Sequence, residues 1–190
     1  MRAFLLLCAL LAPAVHAATC AATSGDTRSR LLELYTSEGC SSCPPADRWL
    51  SQLPRDAGVV PLAFHVDYWD KLGWRDPYAQ AAFSQRQHAR NSGPGWVYTP
   101  QVMLDEEDFR AWHRGLSAQS TAPAQVGLAL TLAQTPERIE VRADSRFASN
   151  ATARGAGVYL ALYENRLSSK VTAGENAART LRHDLSLIHI

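Results

Sequence analysis

An excess of charge of either sign is missing from this 190-residue chain: 19 lysines and arginines face 18 acids, leaving a net charge of +1. No basic block or Arg/Lys stripe interrupts that balance, so the electrostatic footprint of a nucleic-acid binder is absent. Methionine is scarce, with only Met1 and Met103, which leaves few soft thioether ligands for a metal. His65, His88, His113, His183 and His189 fall at no metal-ligand spacing such as H-x-x-x-H. A Ser-His-Asp signature, a phosphate loop and a paired-carboxylate helix are also missing. Lone carboxylates such as Asp108 and Glu137 read as solvated surface.

What is present begins at the N-terminus. Met1-Arg2 is a short basic start, Phe4 to Leu11 is apolar, and Val15-His16-Ala17 has the small-x-small pattern of a cleavage site. The apolar run is well short of the roughly 20 residues that span a bilayer. Residues 1–17 therefore read as a signal peptide, cut after Ala17 or Ala18, in preference to an N-terminal core helix. Ala17-Ala18-Thr19 before Cys20 is no lipoprotein signal, so the mature chain is expected to be periplasmic or secreted, with no membrane contact after cleavage. Export implies an oxidising compartment. Cys8 leaves with the signal, and Cys20, Cys40 and Cys43 remain. Cys20 lies in a polar lead-in, Ala21 to Arg30, that reads as mobile.

The centre of the reading is Cys40-Ser41-Ser42-Cys43. Leu31 to Tyr35 before it is an apolar run that reads as a buried strand. Ser37-Glu38-Gly39 makes a turn, and a helix is expected from Cys40 to about Leu53. A cysteine at a helix start meets free N–H groups and the positive end of the helix dipole, which favour its thiolate. Cys43, one turn on, could attack a mixed disulfide formed by Cys40. A Cys-x-x-Cys is compatible with a redox pair, half of a metal site or an inert disulfide, and the strand-to-helix placement favours the first. A Cu(I) carrier using the same thiolates is the chemically sensible second class, and a non-catalytic module with a structural disulfide the third.

Val59 to Val66 reads as a second buried strand, parallel to the first across the helix. Asp67 and Trp69 follow its C-terminal end, the edge at which open α/β sheets bind ligands, and are weaker candidates for a cleft wall. Tyr78 to Arg90 reads as a helix ended by Asn91 to Gly95, and Thr99-Pro100 opens an apolar strand, Gln101 to Leu104.

Strand, Cys-x-x-Cys at a helix start, crossover and a Thr-Pro before the next strand together resemble the thioredoxin superfamily. More closely, Tyr35-Thr36-Ser37-Glu38-Gly39-Cys40-Ser41-Ser42-Cys43-Pro44-Pro45-Ala46-Asp47, His65-Val66-Asp67-Tyr68-Trp69-Asp70 and Tyr98-Thr99-Pro100-Gln101 are similar to a family of secreted bacterial thioredoxin-like proteins known only as a domain of unknown function. The likeness runs from about Leu31 to His183. It implies an α/β, thioredoxin-like fold with Pro100 as a cis-proline facing the dithiol and keeping metals off it. Thr99 would offer backbone groups to a bound peptide or thiol. Two departures stand out. Leu34 occupies the place where thioredoxins carry a buried carboxylate, and Ser41-Ser42 replaces Gly-Pro. The reduction potential could therefore fall anywhere in the roughly −270 to −120 mV span of such dithiols.

Further on, Asp105 to Asp108 reads as a turn into Phe109 to His113, a hairpin partner for the Val102 strand. Gly115 to Gln125 reads as a linker. Val126 to Leu132, Ile139 to Val141 and Val158 to Leu162 then alternate with period two, as antiparallel strands do. The expected organisation is a thioredoxin-like domain at 24–118 and a C-terminal antiparallel β module at 126–190. The final run, Leu185 to Ile190, departs from the resembled family and reads as an altered end or a terminal edge strand. The function expected is an exported thiol–disulfide oxidoreductase. Cys40 would be the exposed nucleophile, Cys43 the resolving thiol, and a thiol- or disulfide-bearing protein or small thiol the substrate. No cofactor is expected.

Overall fold

The computed structural model describes residues 18–54, 58–91, 96–116, 120, 122–149 and 157–189. The expected signal peptide lies outside them, as do Ser92 to Gly95 and residues 117–119 and 121 of the expected linker. Among the described residues, no helix is long and apolar enough to cross a membrane.

Among the described residues, eleven strands and two α-helices follow in chain order. They are β1 (Ala18–Thr23), β2 (Arg30–Thr36), α1 (Pro44–Ser51), β3 (Val59–His65), α2 (Ala81–Arg90), β4 (Gln101–Leu104) and β5 (Glu107–Asp108). The second half holds β6 (Val126–Gln134), β7 (Ile139–Phe147), β8 (Leu162–Glu164), β9 (Leu167–Lys170), β10 (Thr180–His183) and β11 (Ser186–His189). The chain divides into two compact units, Met1–Asp26 with Ala124–Ala153, and Thr27–Pro123 with Arg154–Ile190.

The smaller unit is a three-stranded antiparallel sheet in the order β1-β6-β7. The lead-in expected to be mobile is in part strand here, with exposed Cys20 paired opposite Leu132. The larger unit is a mixed α/β structure. Its six-stranded sheet runs β5-β4-β2-β3-β11-β8, and β9 and β10 form a separate two-stranded ribbon. β2 is central, parallel to β3 and antiparallel to β4, so Leu34 lies between Ala63 and Val102.

Alternation along β2 feeds two cores, because successive side chains leave opposite faces of a strand. Leu32 and Leu34 pack with Ala63, Val102 and the α1 residues Ala46 and Leu50. Tyr35 packs on the other face with Phe64, Met103 and the α2 residue Phe83. The shared strand thus carries one helix on each side.

Several expectations shift. The helix begins at Pro44, not Cys40, because Cys40 to Cys43 closes as a turn in which the Cys43 N–H donates to the Cys40 carbonyl. Pro44 and Pro45 occupy the first helical turn, where a missing N–H costs nothing. The hairpin after β4 is tight. Asp105 and Glu106 sit at φ 53° and 72°, and β5 is only Glu107–Asp108. Residues 158–161 are not strand. The division at 24–118 and 126–190 is not the one found. Antiparallel alternation looks the same locally whichever sheet it joins, and β8 and β11 join the six-stranded sheet while β6 and β7 form a separate sheet with β1. The final apolar run is no edge strand, since β11 lies between β3 and β8.

Candidate functional site

β2 ends at Thr36, and the turn beyond it carries a Cys40–Cys43 disulfide against the start of α1. The two Cα atoms are 5.4 Å apart. Both cysteines are 0% exposed, whereas Ser41 and Ser42 between them face solvent. The exposed nucleophile expected at Cys40 is therefore buried. The chain turns its sulfurs inward while the intervening serines form the outer rim.

Trp69 links this loop to the Thr-Pro segment. A Cβ built on Gly39 would stand 3.0 Å from the Trp69 Cβ, so the tryptophan rests directly on the backbone before Cys40. Its indole Nε1–H donates to Thr99 Oγ1 at 2.8 Å. Thr99-Pro100 is a cis peptide, and Pro100 lines a cavity of about 300 Å³ with Tyr98, Arg110 and Trp112. Trp69, Thr99 and the Cys40 loop thus come together. Asp67 is engaged elsewhere: its N–H donates to Ser84 Oγ on α2, and the Ser84 hydroxyl donates back to its carboxylate.

Beneath the loop lies a cluster of buried ionisable groups. Glu38, Asp47, His65, Asp76 and His183 are all nearly or fully inaccessible. His183 Nε2 lies 2.9 Å from Glu38 Oε1, and Trp74 Nε1–H donates to Glu38 Oε2 at 2.8 Å. His65 Nδ1 lies 2.7 Å from Asp76 Oδ2, which also accepts the Glu38 N–H at 2.9 Å. The two imidazole rings meet edge to face, their centroids 4.7 Å apart. His183 Nδ1 stands 3.9 Å from Asp47 Oδ2, an ion-pair distance rather than a hydrogen bond.

Burial and pairing pull these groups in definable directions. Burial raises the Asp47 carboxyl above its ordinary value, and the nearby His183 and His65 only partly offset it. Burial opposes charge on His65, but the Asp76 carboxylate and their hydrogen bond outweigh it and the imidazole is raised. Asp76 is lowered despite burial, because His65 and the Glu38 and Tyr78 N–H groups hold its anion. On the opposite face of β2, buried Glu33 accepts from Arg86 Nε at 2.7 Å.

Sequence reasoning singled out Cys40, Cys43, Thr99, Pro100, Asp67 and Trp69. It missed Glu38, Asp47, Asp76 and His183, and it missed Asn176, whose amide donates to the Glu38 and Cys40 carbonyls at 2.9 Å each. Glu38 and Asp47 flank the cysteine motif, and acids beside an apolar strand and on the inner face of a helix were a usable signal. Asn176 and His183 lie more than 130 residues downstream and carried none.

A family model described as "Protein of unknown function (DUF1223)" matches residues 31–189. Among solved structures, a crystal structure of a protein from Agrobacterium tumefaciens is similar at 25% identity. The likeness covers 86% of this chain and 72% of that one, with a TM-score of 0.49. A comparison with curated proteins returns no match.

Proposed function

Because this chain belongs to the DUF1223 family, whose description assigns no activity, we propose from the site itself that it is an exported thiol–disulfide oxidoreductase working through Cys40 and Cys43. The observation that carries the reading is the disulfide at the junction of β2 and α1, beyond the C-terminal end of the central parallel pair. Supporting it, the order β5-β4-β2-β3 with α1 and α2 on opposite faces reads as a thioredoxin-like core. Trp69 and Thr99 would form the substrate-side wall, beside Pro100.

The reaction is an exchange. A substrate thiolate attacks the Cys40 sulfur, the Cys40–Cys43 bond breaks, and its electron pair leaves on Cys43 as a thiolate. A second substrate thiolate then attacks the mixed disulfide at the substrate sulfur and releases Cys40. The substrate dithiol is oxidised by two electrons and the protein disulfide is reduced by the same two. Run backwards, the same steps have Cys40 attack and Cys43 resolve. Cys43, the N-cap residue of α1, is the sulfur set at the positive end of the helix dipole, which favours it as the leaving thiolate.

Full burial of both sulfurs favours a second reading, a disulfide that only ties the turn to the helix. The reduction potential of the pair in a Cys20→Ser background, equilibrated with glutathione, separates them. A value between about −270 and −120 mV with ready exchange is expected. A bond more stable than about −300 mV, or one that does not exchange in the folded protein, marks a structural disulfide and removes the enzyme reading.

A further inference from the structure

The exchange reading raises a problem of access, since nucleophilic attack needs an approach to a sulfur that this conformation closes. The segment across the loop joins β9 to β10. It is a short turn, closed where the Val171 N–H donates to the Arg179 carbonyl and the Ala178 N–H to that of Val171. From it, the Glu175 carboxylate accepts the Ser41 N–H at 2.9 Å. The Asn176 amide donates to both the Glu38 and Cys40 carbonyls. Three main-chain groups around the disulfide are thus held by two side chains of one distant turn.

The turn is shaped for this contact. Gly174, at φ +72°, lies against Trp74, where a Cβ would meet the Trp74 Cβ at 3.2 Å. Arg179 Nη1 donates to Asn176 Oδ1 at 2.6 Å and fixes the amide so that its N–H groups point at the two carbonyls. Among the described residues, the ribbon that carries the turn pairs only with itself, β9 with β10. Movement of the turn therefore breaks no ladder of the six-stranded sheet, although Val171, Leu181 and His183 anchor the ribbon by their burial. The contact also divides unequally: Glu175 is exposed while Asn176 is fully buried.

We propose that Gly174 to Asn176 is a latch over the Cys40–Cys43 disulfide, with Asn176 its main fastening, and that it must lift before substrate sulfur reaches Cys40. The proposal rests on the exchange reading and specifies how that site is regulated. The latched state is the unreactive resting form. A substrate gains access by competing for the Glu38 and Cys40 carbonyls and the Ser41 N–H, groups that suit an extended polypeptide better than a small thiol.

The test uses the full chain with Cys20→Ser and measures the rate at which excess glutathione opens the disulfide under native conditions, with circular dichroism as the folding control. Asn176→Ala should accelerate opening by roughly fivefold or more, the factor one net hydrogen bond is worth. Glu175→Ala, at an exposed residue, should accelerate it by a smaller factor and keeps the test decisive should Asn176→Ala fail to fold. Folded variants opening at the parental rate would overturn the latch, and if the parent's potential lies in the dithiol range the exchange reading survives that result. If neither parent nor variants open until denatured, both fall together.

Discussion

Asp76 uses both carboxylate oxygens in the cluster below the disulfide. One takes His65 Nδ1 and the Glu38 N–H, the other the Tyr78 N–H. Replacing it with alanine strands a buried imidazole and two N–H donors. Breaking a buried pair in this way costs about 3–5 kcal/mol, readable as a fall in urea midpoint. The pair also sets a pH dependence. His65 is raised above 6.5, so its stabilising contribution is complete below that pH and is lost as pH rises through the folded value. Asp76 is lowered from 3.8, so its contribution is complete above that pH and is lost as pH falls through its folded value. Raised Asp47 also loses stability with rising pH, over the range from 3.8 up to its folded value. The melting temperature should therefore decline above about pH 6.5, and His65→Gln should flatten that decline. Identical slopes for parent and variant between pH 6.5 and 9 would contradict the assignment.

At the scale of elements, the turn from β2 into α1 decides where the cysteines face, and Gly39 is its tightest point. A Cβ there would meet the Trp69 Cβ at 3.0 Å, an atom fixed to the backbone that cannot rotate away. Gly39→Ala should push the Trp69 segment outward, lengthen its bond to Thr99 and cost about 1–3 kcal/mol, as overpacking does. Urea unfolding followed by tryptophan fluorescence would detect both changes, and an unaltered midpoint would mean the loop yields freely. Local pattern announced β2, β3 and β4 well, because each is an apolar run, and α2 through its Ala, Gln and Arg content. It also located the cysteine pair and the Thr-Pro segment. It could not show that Cys40 is buried, nor that the side chains bonded to the main chain around it come from the turn between β9 and β10. Nor could it show why Glu33 tolerates full burial, which depends on Arg86 reaching in from α2.

At the scale of the whole molecule, the larger unit is discontinuous in sequence, and its second piece completes both the sheet and the site. β11 covers the flank of β3, where the Ala63 N–H donates to the Leu185 carbonyl at 2.8 Å. Leu187, Leu181 and Val171 are buried, and His183 supplies the imidazole that partners Glu38. A fragment spanning residues 27–123 would carry both cysteines, Trp69 and Thr99, which is nearly all that the sequence motifs identify. It would also leave β3 as a bare edge and Glu38 without its histidine, and it would remove Asn176 from Cys40. Unpaired edges and uncompensated buried acids are each costly. This fragment should therefore show no cooperative thermal transition and should bind a hydrophobic dye, while the full chain melts sharply. A fragment that melted as sharply as the full chain would reduce β8 to β11 to an appendage, and the site would then belong to the first piece alone.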